Sequence, residues 1–199
     1  LLDSLQKICL MHGMEVSYYK KLFQTAENII HLIEKDDISK YLLFLEDVFP
    51  YMEKYHYQKG MREILRELKQ ILKENNYGTT SDRALLLDYQ ATMETKPEKA
   101  IKLEKEALAQ IKEITEGNAH LVSNLHANLG GLYRMNGQTE LAKEHMEKGI
   151  LLLEQYHLLY TNDSIPQINN YAALLTEMQE PERAMSALQK LAQIIKHYN

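Results

Sequence analysis

The sequence predicts an all-α fold, a solenoid of about five antiparallel helix hairpins and ten helices. Three observations predict it. Apolar residues recur at helical spacing through most of the chain, and no stretch reads convincingly as a strand. Polar turn sequences interrupt that pattern at short intervals. Small or aromatic residues early in each second helix fall at Tyr18, Gly60, Ala100, Ala142 and Ala184, in steps of 42, 40, 42 and 42. A near-constant step over five units marks stacked repeats, each of which buries its apolar face only against its neighbours.

The hairpin from Ser123 to Tyr156 is the best-defined unit. Asn136-Gly137 suits a tight turn between two amphipathic segments. The first carries Leu125, Leu129, Leu132 and Tyr133; the second carries Leu141, Met146, Ile150 and Leu153. Gly130, Gly131, Ala142 and Gly149 are expected where the two helices approach closely.

Taken in order, Leu2, Leu5 and Cys9 predict a short helix to about Met11, broken by His12-Gly13. A second helix reaches about Glu34, with Tyr18, Leu22, Ala26 and Ile30 on one side. Asp37 is the expected N-cap of a third, which holds Tyr41, Phe44, Leu45, Val48 and Met52. Pro50 predicts a kink or an early end there. Residues 58–75 form a charged amphipathic helix stopped by Gly78 as C-terminal cap. Ser81 or Asp82 caps the next, with Leu85, Leu86, Tyr89 and Met93. Pro97 suits a helical first turn, where its missing N–H costs nothing. The helix it starts runs through Ala100, Ile101, Ala107, Ile111 and Ile114 to a stop at Glu116-Gly117-Asn118. After the central hairpin, Ile168, Tyr171, Ala172 and Leu175 predict a ninth helix. Ala184, Leu188, Leu191, Ile194 and Ile195 predict a tenth, begun by Pro181.

Composition narrows the function classes. The 199 residues are 45% hydrophobic and 26% charged, with only 8 Gly and 4 Pro, which disfavours a loop-rich all-β fold. The net charge of −5 is spread over interleaved acids and bases, unlike the concentrated basic face that nucleic acid requires. A single cysteine, Cys9, cannot form an internal disulfide and fits a reducing compartment. No apolar run approaches the roughly 20 residues of a membrane span, and no signal peptide is visible. The expected location is cytoplasmic. The chain starts at Leu1 rather than Met, as a fragment or processed chain would.

The hairpin residues resemble the tetratricopeptide repeat. Leu129-Gly130, Tyr133, Gly137, Ala142, Met146 and Gly149 match its pattern most closely. Tyr171-Ala172, Leu175, Pro181, Ala184, Leu188 and Leu191 match more weakly, and the 81–116 unit keeps Leu87, Ala91, Pro97, Ala100 and Ala107. Residues 1–78 read as degenerate hairpins and 79–199 as clearer ones, within one continuous solenoid domain. The step near 42, with the runs His126-Ala127-Asn128-Leu129-Gly130 and Asn169-Asn170-Tyr171-Ala172, is similar to the long-repeat subtype of kinesin light chains and of bacterial regulator sensor domains.

The resemblance implies a right-handed superhelix whose concave face binds a peptide or protein. Carried over position by position, that face presents Leu45, Phe49, Asp82, Leu85, Tyr89, Asn124, Asn128, Arg134, Asn169, Asn170 and Glu177, with Leu42 and Glu46 beside them. Asn128 and Asn170 stand one repeat apart, and an amide offers both a donor and an acceptor to an extended peptide backbone. The positions that clamp a C-terminal carboxylate elsewhere in the family hold Asn124 and Pro166 here, which disfavours that ligand class.

Catalytic chemistry is not evident. Glu53-x-x-His56 and Glu154-x-x-His157 have the spacing of carboxylate-bridged metal bundles, but they occupy different repeat positions and would not converge. His126 reads as a packed core histidine. No catalytic residue, metal or cofactor is expected. The reading is a non-enzymatic scaffold whose partner is a protein or peptide. The alternative is a peptide-sensing or oligomerisation module of a larger bacterial transcriptional regulator or signal-transduction ATPase. A terminal unit packs on one side only, so pairing with a second copy into a homodimer is compatible with the pattern.

Overall fold

The apolar stripes become helices nearly where the sequence predicts them. The computed structural model describes residues 16–30, 37–54, 56–74, 78–161 and 164–198. Among these are nine α-helices and no strand: α1 Val16–Ile29, α2 Ile38–Lys54, α3 Gln58–Glu74, α4 Thr80–Thr92, α5 Pro97–Gln110, α6 Ala119–Met135, α7 Thr139–Gln155, α8 Ser164–Glu177 and α9 Pro181–Tyr198. The helix expected at Leu1 to Met11, with Cys9, lies outside the described residues. No described helix is long and apolar enough to cross a membrane.

Two compact units divide the chain, Leu1–Met93 and Glu94–Asn199. In the first, α1 to α4 pack around Phe23, Tyr41, Phe44, Leu45, Met52 and Leu68. Buried tyrosines place their hydroxyls on main-chain acceptors. Tyr41 donates to the Ala26 carbonyl at 2.8 Å, and Tyr89 to the Leu42 carbonyl at 3.0 Å. Gly60 permits a close approach here, since a Cβ would collide with the Tyr57 ring.

In the second unit, α6 and α7 form the central hairpin, with α5 packed on α6 and the α8–α9 pair on α7. Gly130 and Gly149 lie at close approaches to neighbouring segments, and Ala142 is fully buried. Gly131 differs from the expectation. Nothing lies within 4 Å of where its Cβ would be, because one residue along a helix turns the side chain about 100° away from the seam.

Three boundaries also differ. The helix expected to kink or stop at Pro50 runs to Lys54. The N-cap of α4 is Thr79 rather than Ser81 or Asp82, and Asp82 is the N3 residue of a capping box. Helix α5 stops at Gln110 rather than passing through Ile114. Asn118 holds the following loop by accepting from the Thr115 amide at 2.8 Å and donating to the Glu113 carbonyl at 3.0 Å. Such local side-chain bonds compete with the helical ladder.

Helix ends share one device. Main-chain bonds from Tyr57 to Met52, Gln138 to Tyr133, Leu158 to Leu153 and Glu180 to Leu175 close the last turns of α2, α6, α7 and α8. Each follows a left-handed residue: His56, Gly137, His157 and Gln179, with φ between 58° and 74°. This is the Schellman arrangement, in which glycine avoids a Cβ penalty. Gln179→Gly should therefore raise stability by about 0.5–1 kcal/mol, visible as a higher urea midpoint with an unchanged slope.

Candidate functional site

Asn124 and Asn128 lie four residues apart on α6, a spacing that puts both on one helix face. Gln167 and Asn170 stand three apart on α8. These four amides line one groove of about 180 Å³, completed by the apolar side chains of Ala127, Met146 and Pro166. A chain of hydrogen bonds sets its wall. The Ser123 hydroxyl lies 2.9 Å from the Gly149 carbonyl and 3.1 Å from Oε1 of Gln167, two acceptors sharing one proton. Gln167 Nε2 in turn donates to Oδ1 of Asn124 at 2.8 Å. Ser123 is fully buried and Gln167 nearly so, so this orients Asn124 from beneath. Asn128 and Asn170 are exposed on the same groove.

The other expected contact residues lie elsewhere. Arg134 and Glu177 pair with each other. Nε of Arg134 donates to Oε2 at 2.9 Å and Nη2 donates to Oε1. The guanidinium holds the Glu177 carboxyl below the usual carboxylate range. Asn169 is exposed but does not line the groove. Leu42, Leu45 and Tyr89 are core residues, and Leu85 is half-buried against that core. Asp82 is a buried capping residue, whose Oδ2 accepts from the Thr79 amide at 2.6 Å and the Ser39 hydroxyl at 3.0 Å. The side chains of Glu46 and Phe49 lie outside the description. Of the expected contact residues, this groove brings together Asn124, Asn128 and Asn170, joined by Gln167, Met146, Ala127 and Pro166. Tyr89→Phe tests the reassignment. It should cost about 1 kcal/mol of stability through the lost bond to Leu42, and leave binding in the α6–α8 groove within twofold.

His126 is half-buried and meets His145 of α7, Nδ1 to Nδ1, at 2.9 Å. One ring must donate and the other accept, so the accepting imidazole must be neutral. Burial, then His145, then Lys148 push the His126 pKa down to about 4, against the opposing pull of Glu144. Burial and the charges of Lys148 and Lys105 lower His145 as well, again opposed by Glu144. The Tyr133 ring lies 5.3 Å from that of His145 and carries Lys105 over its face. The folded state thus holds fewer protons than an unfolded chain whose histidines titrate near 6.5. The stabilisation is complete above about pH 6.5 and is lost as pH falls through about 4, a change on the order of 1 kcal/mol after allowance for solvent screening. In urea titrations across this range, His126→Leu should flatten the dependence.

The two Glu-x-x-His pairs have a structural place. His56 and His157 are the left-handed residues that end α2 and α7. Among the described residues, no three His, Cys, Asp or Glu side chains are grouped to hold a metal.

No protein-family model matches the chain, and no curated protein matches it. Solved structures share its fold. A crystal structure of MamA, a TPR-like helical solenoid, matches with a TM-score of 0.57 at 12% identity, over 94% of this chain and 98% of that one. A second MamA structure matches with a TM-score of 0.50 at 13% identity, over 91% of this chain and 94% of that one. The chain is an all-α, TPR-like solenoid of helix hairpins.

Proposed function

We propose that this chain is a non-enzymatic interaction scaffold that binds an extended peptide or protein segment in the groove between α6 and α8. The observation that carries the reading is the convergence of four amide side chains with apolar Ala127, Met146 and Pro166. Amides supply donors and acceptors together, as an extended main chain demands, and the apolar groups receive a side chain. Neither Lys nor Arg is among the described lining residues, and the Arg134 guanidinium is held by Glu177. The ligand is therefore read through its backbone rather than through a terminal carboxylate. The repeat step near 42 supports placing the chain with the long-repeat subtype, and the TPR-like fold suits a scaffold.

The test is a peptide-display selection run in parallel on the chain and on an Asn128→Ala/Asn170→Ala variant. A consensus enriched by the parent alone is the expected result. Enrichment of the same consensus by both proteins, or by neither, would remove the groove from the account.

A further inference from the structure

His126 of α6 and His145 of α7 face each other across the central hairpin. Their Nδ1 atoms lie 2.9 Å apart, with ring centroids 5.0 Å apart and planes inclined by 39°. Imidazole nitrogens bind divalent transition metals at about 2.0–2.1 Å. Two nitrogens 2.9 Å apart, each at that length from one ion, subtend about 90° at it. That is the cis angle of tetragonal copper(II) and nickel(II). A tetrahedral ion such as zinc needs its nitrogens about 3.3 Å apart, so it would have to part the rings.

We propose that His126 and His145 form a two-histidine site for a tetragonal divalent ion, copper(II) or nickel(II), which pins α6 to α7. In the metal-free pair one Nδ1 carries the shared proton. Moving that proton to Nε2 of the same ring frees both Nδ1 lone pairs for the ion, with no change in net charge. Both residues are half-buried and so open to solvent on one side, from which water completes the coordination. Among the described residues no third His, Cys, Asp or Glu is grouped with the pair, so the site is open rather than closed. Of the charges that act on the two rings, Glu144 favours a dication, while Lys148 and Lys105 oppose it. Lys148 is itself engaged by Glu144, Nζ to Oε1 at 2.6 Å. Lys105 lies over the Tyr133 ring. Both ligands stand on helices packed against each other, which fixes their spacing more firmly than loops would.

Copper(II) is the probe, titrated calorimetrically into the intact chain with glycine as a competing ligand. Saturable one-to-one binding is expected, and pulsed electron paramagnetic resonance should count two imidazoles on the bound ion. His126→Leu and His145→Leu should each weaken binding at least tenfold, whereas His197→Gln, near the end of α9, should change it less than twofold. Copper should also raise the urea midpoint of the parent and leave both leucine variants unmoved, because its ligands come together only in the folded chain. Circular dichroism checks that the variants are folded. Should a leucine variant lose its helical signal, the imidazole count on the parent decides alone. The proposal is overturned by a bound ion that carries one imidazole or none, by affinity in a folded leucine variant within twofold of the parent, or by no saturable binding.

Discussion

Gly130→Ala should destabilise the protein by about 1–3 kcal/mol, while Gly131→Ala, one residue later, should stabilise it by about 0.5–1 kcal/mol. A Cβ at position 130 would sit 2.5 Å from Cγ of Met146, 3.1 Å from the Ala142 carbonyl and 3.3 Å from the Met146 amide. The Met146 side chain can swing aside; the main-chain atoms move only if α6 and α7 separate. At position 131 the added methyl meets open space and gains the helix propensity of alanine. Urea denaturation of the two variants checks both signs. Equal effects would mean that the α6–α7 seam is not where the structure puts it. Met146 also lines the groove, so Gly130→Ala should weaken ligand binding, and Gly131→Ala should not.

Asn128→Ala and Asn170→Ala should each weaken a groove-selected peptide about tenfold, and together about a hundredfold, from about 1–1.5 kcal/mol per lost amide. Asn170 is exposed, so its substitution alone should leave stability within about 0.5 kcal/mol of the parent. Asn124→Ala should behave differently. It removes the acceptor of Gln167 and loosens the links to Ser123 and the Gly149 carbonyl, so it should lower stability as well as affinity. Calorimetric titration beside thermal melts separates the two patterns. Loss of affinity only in step with loss of stability would assign the exposed asparagines to packing.

Helical periodicity carried most of the fold, because amphipathic stripes and repeated small residues are written directly in side-chain types. It could not distinguish Gly130 from Gly131, since both are small and only their angle about the helix axis differs. The groove was legible where the repeat is regular: Asn128 and Asn170 lie one step apart on one groove. Gln167 was not, because one step back stands Leu125, a buried core residue, and repeat logic expects an apolar side chain there. In the first compact unit, Leu1–Met93, several positions carried over from the family fall in the core. Phe23, Tyr41 and Phe44 fill its interior, and Leu45 and Tyr89 are drawn into the same core. Asp82 has the residue type both of an N-cap and of a ligand contact; its carboxylate, accepting from Thr79 and Ser39, serves instead as the N3 member of the capping box. His145 has Ala187 as its counterpart, so no repeat signal pointed to its pairing with His126.

Side-chain amide NMR of the ¹⁵N-labelled chain, titrated with the display-selected peptide, tests the central claim most directly. The account predicts that the Nδ2 resonances of Asn128 and Asn170 shift together and saturate with the peptide, while resonances on the exposed face of α9 stay in place. Saturable binding that leaves both asparagine amides unmoved would contradict it.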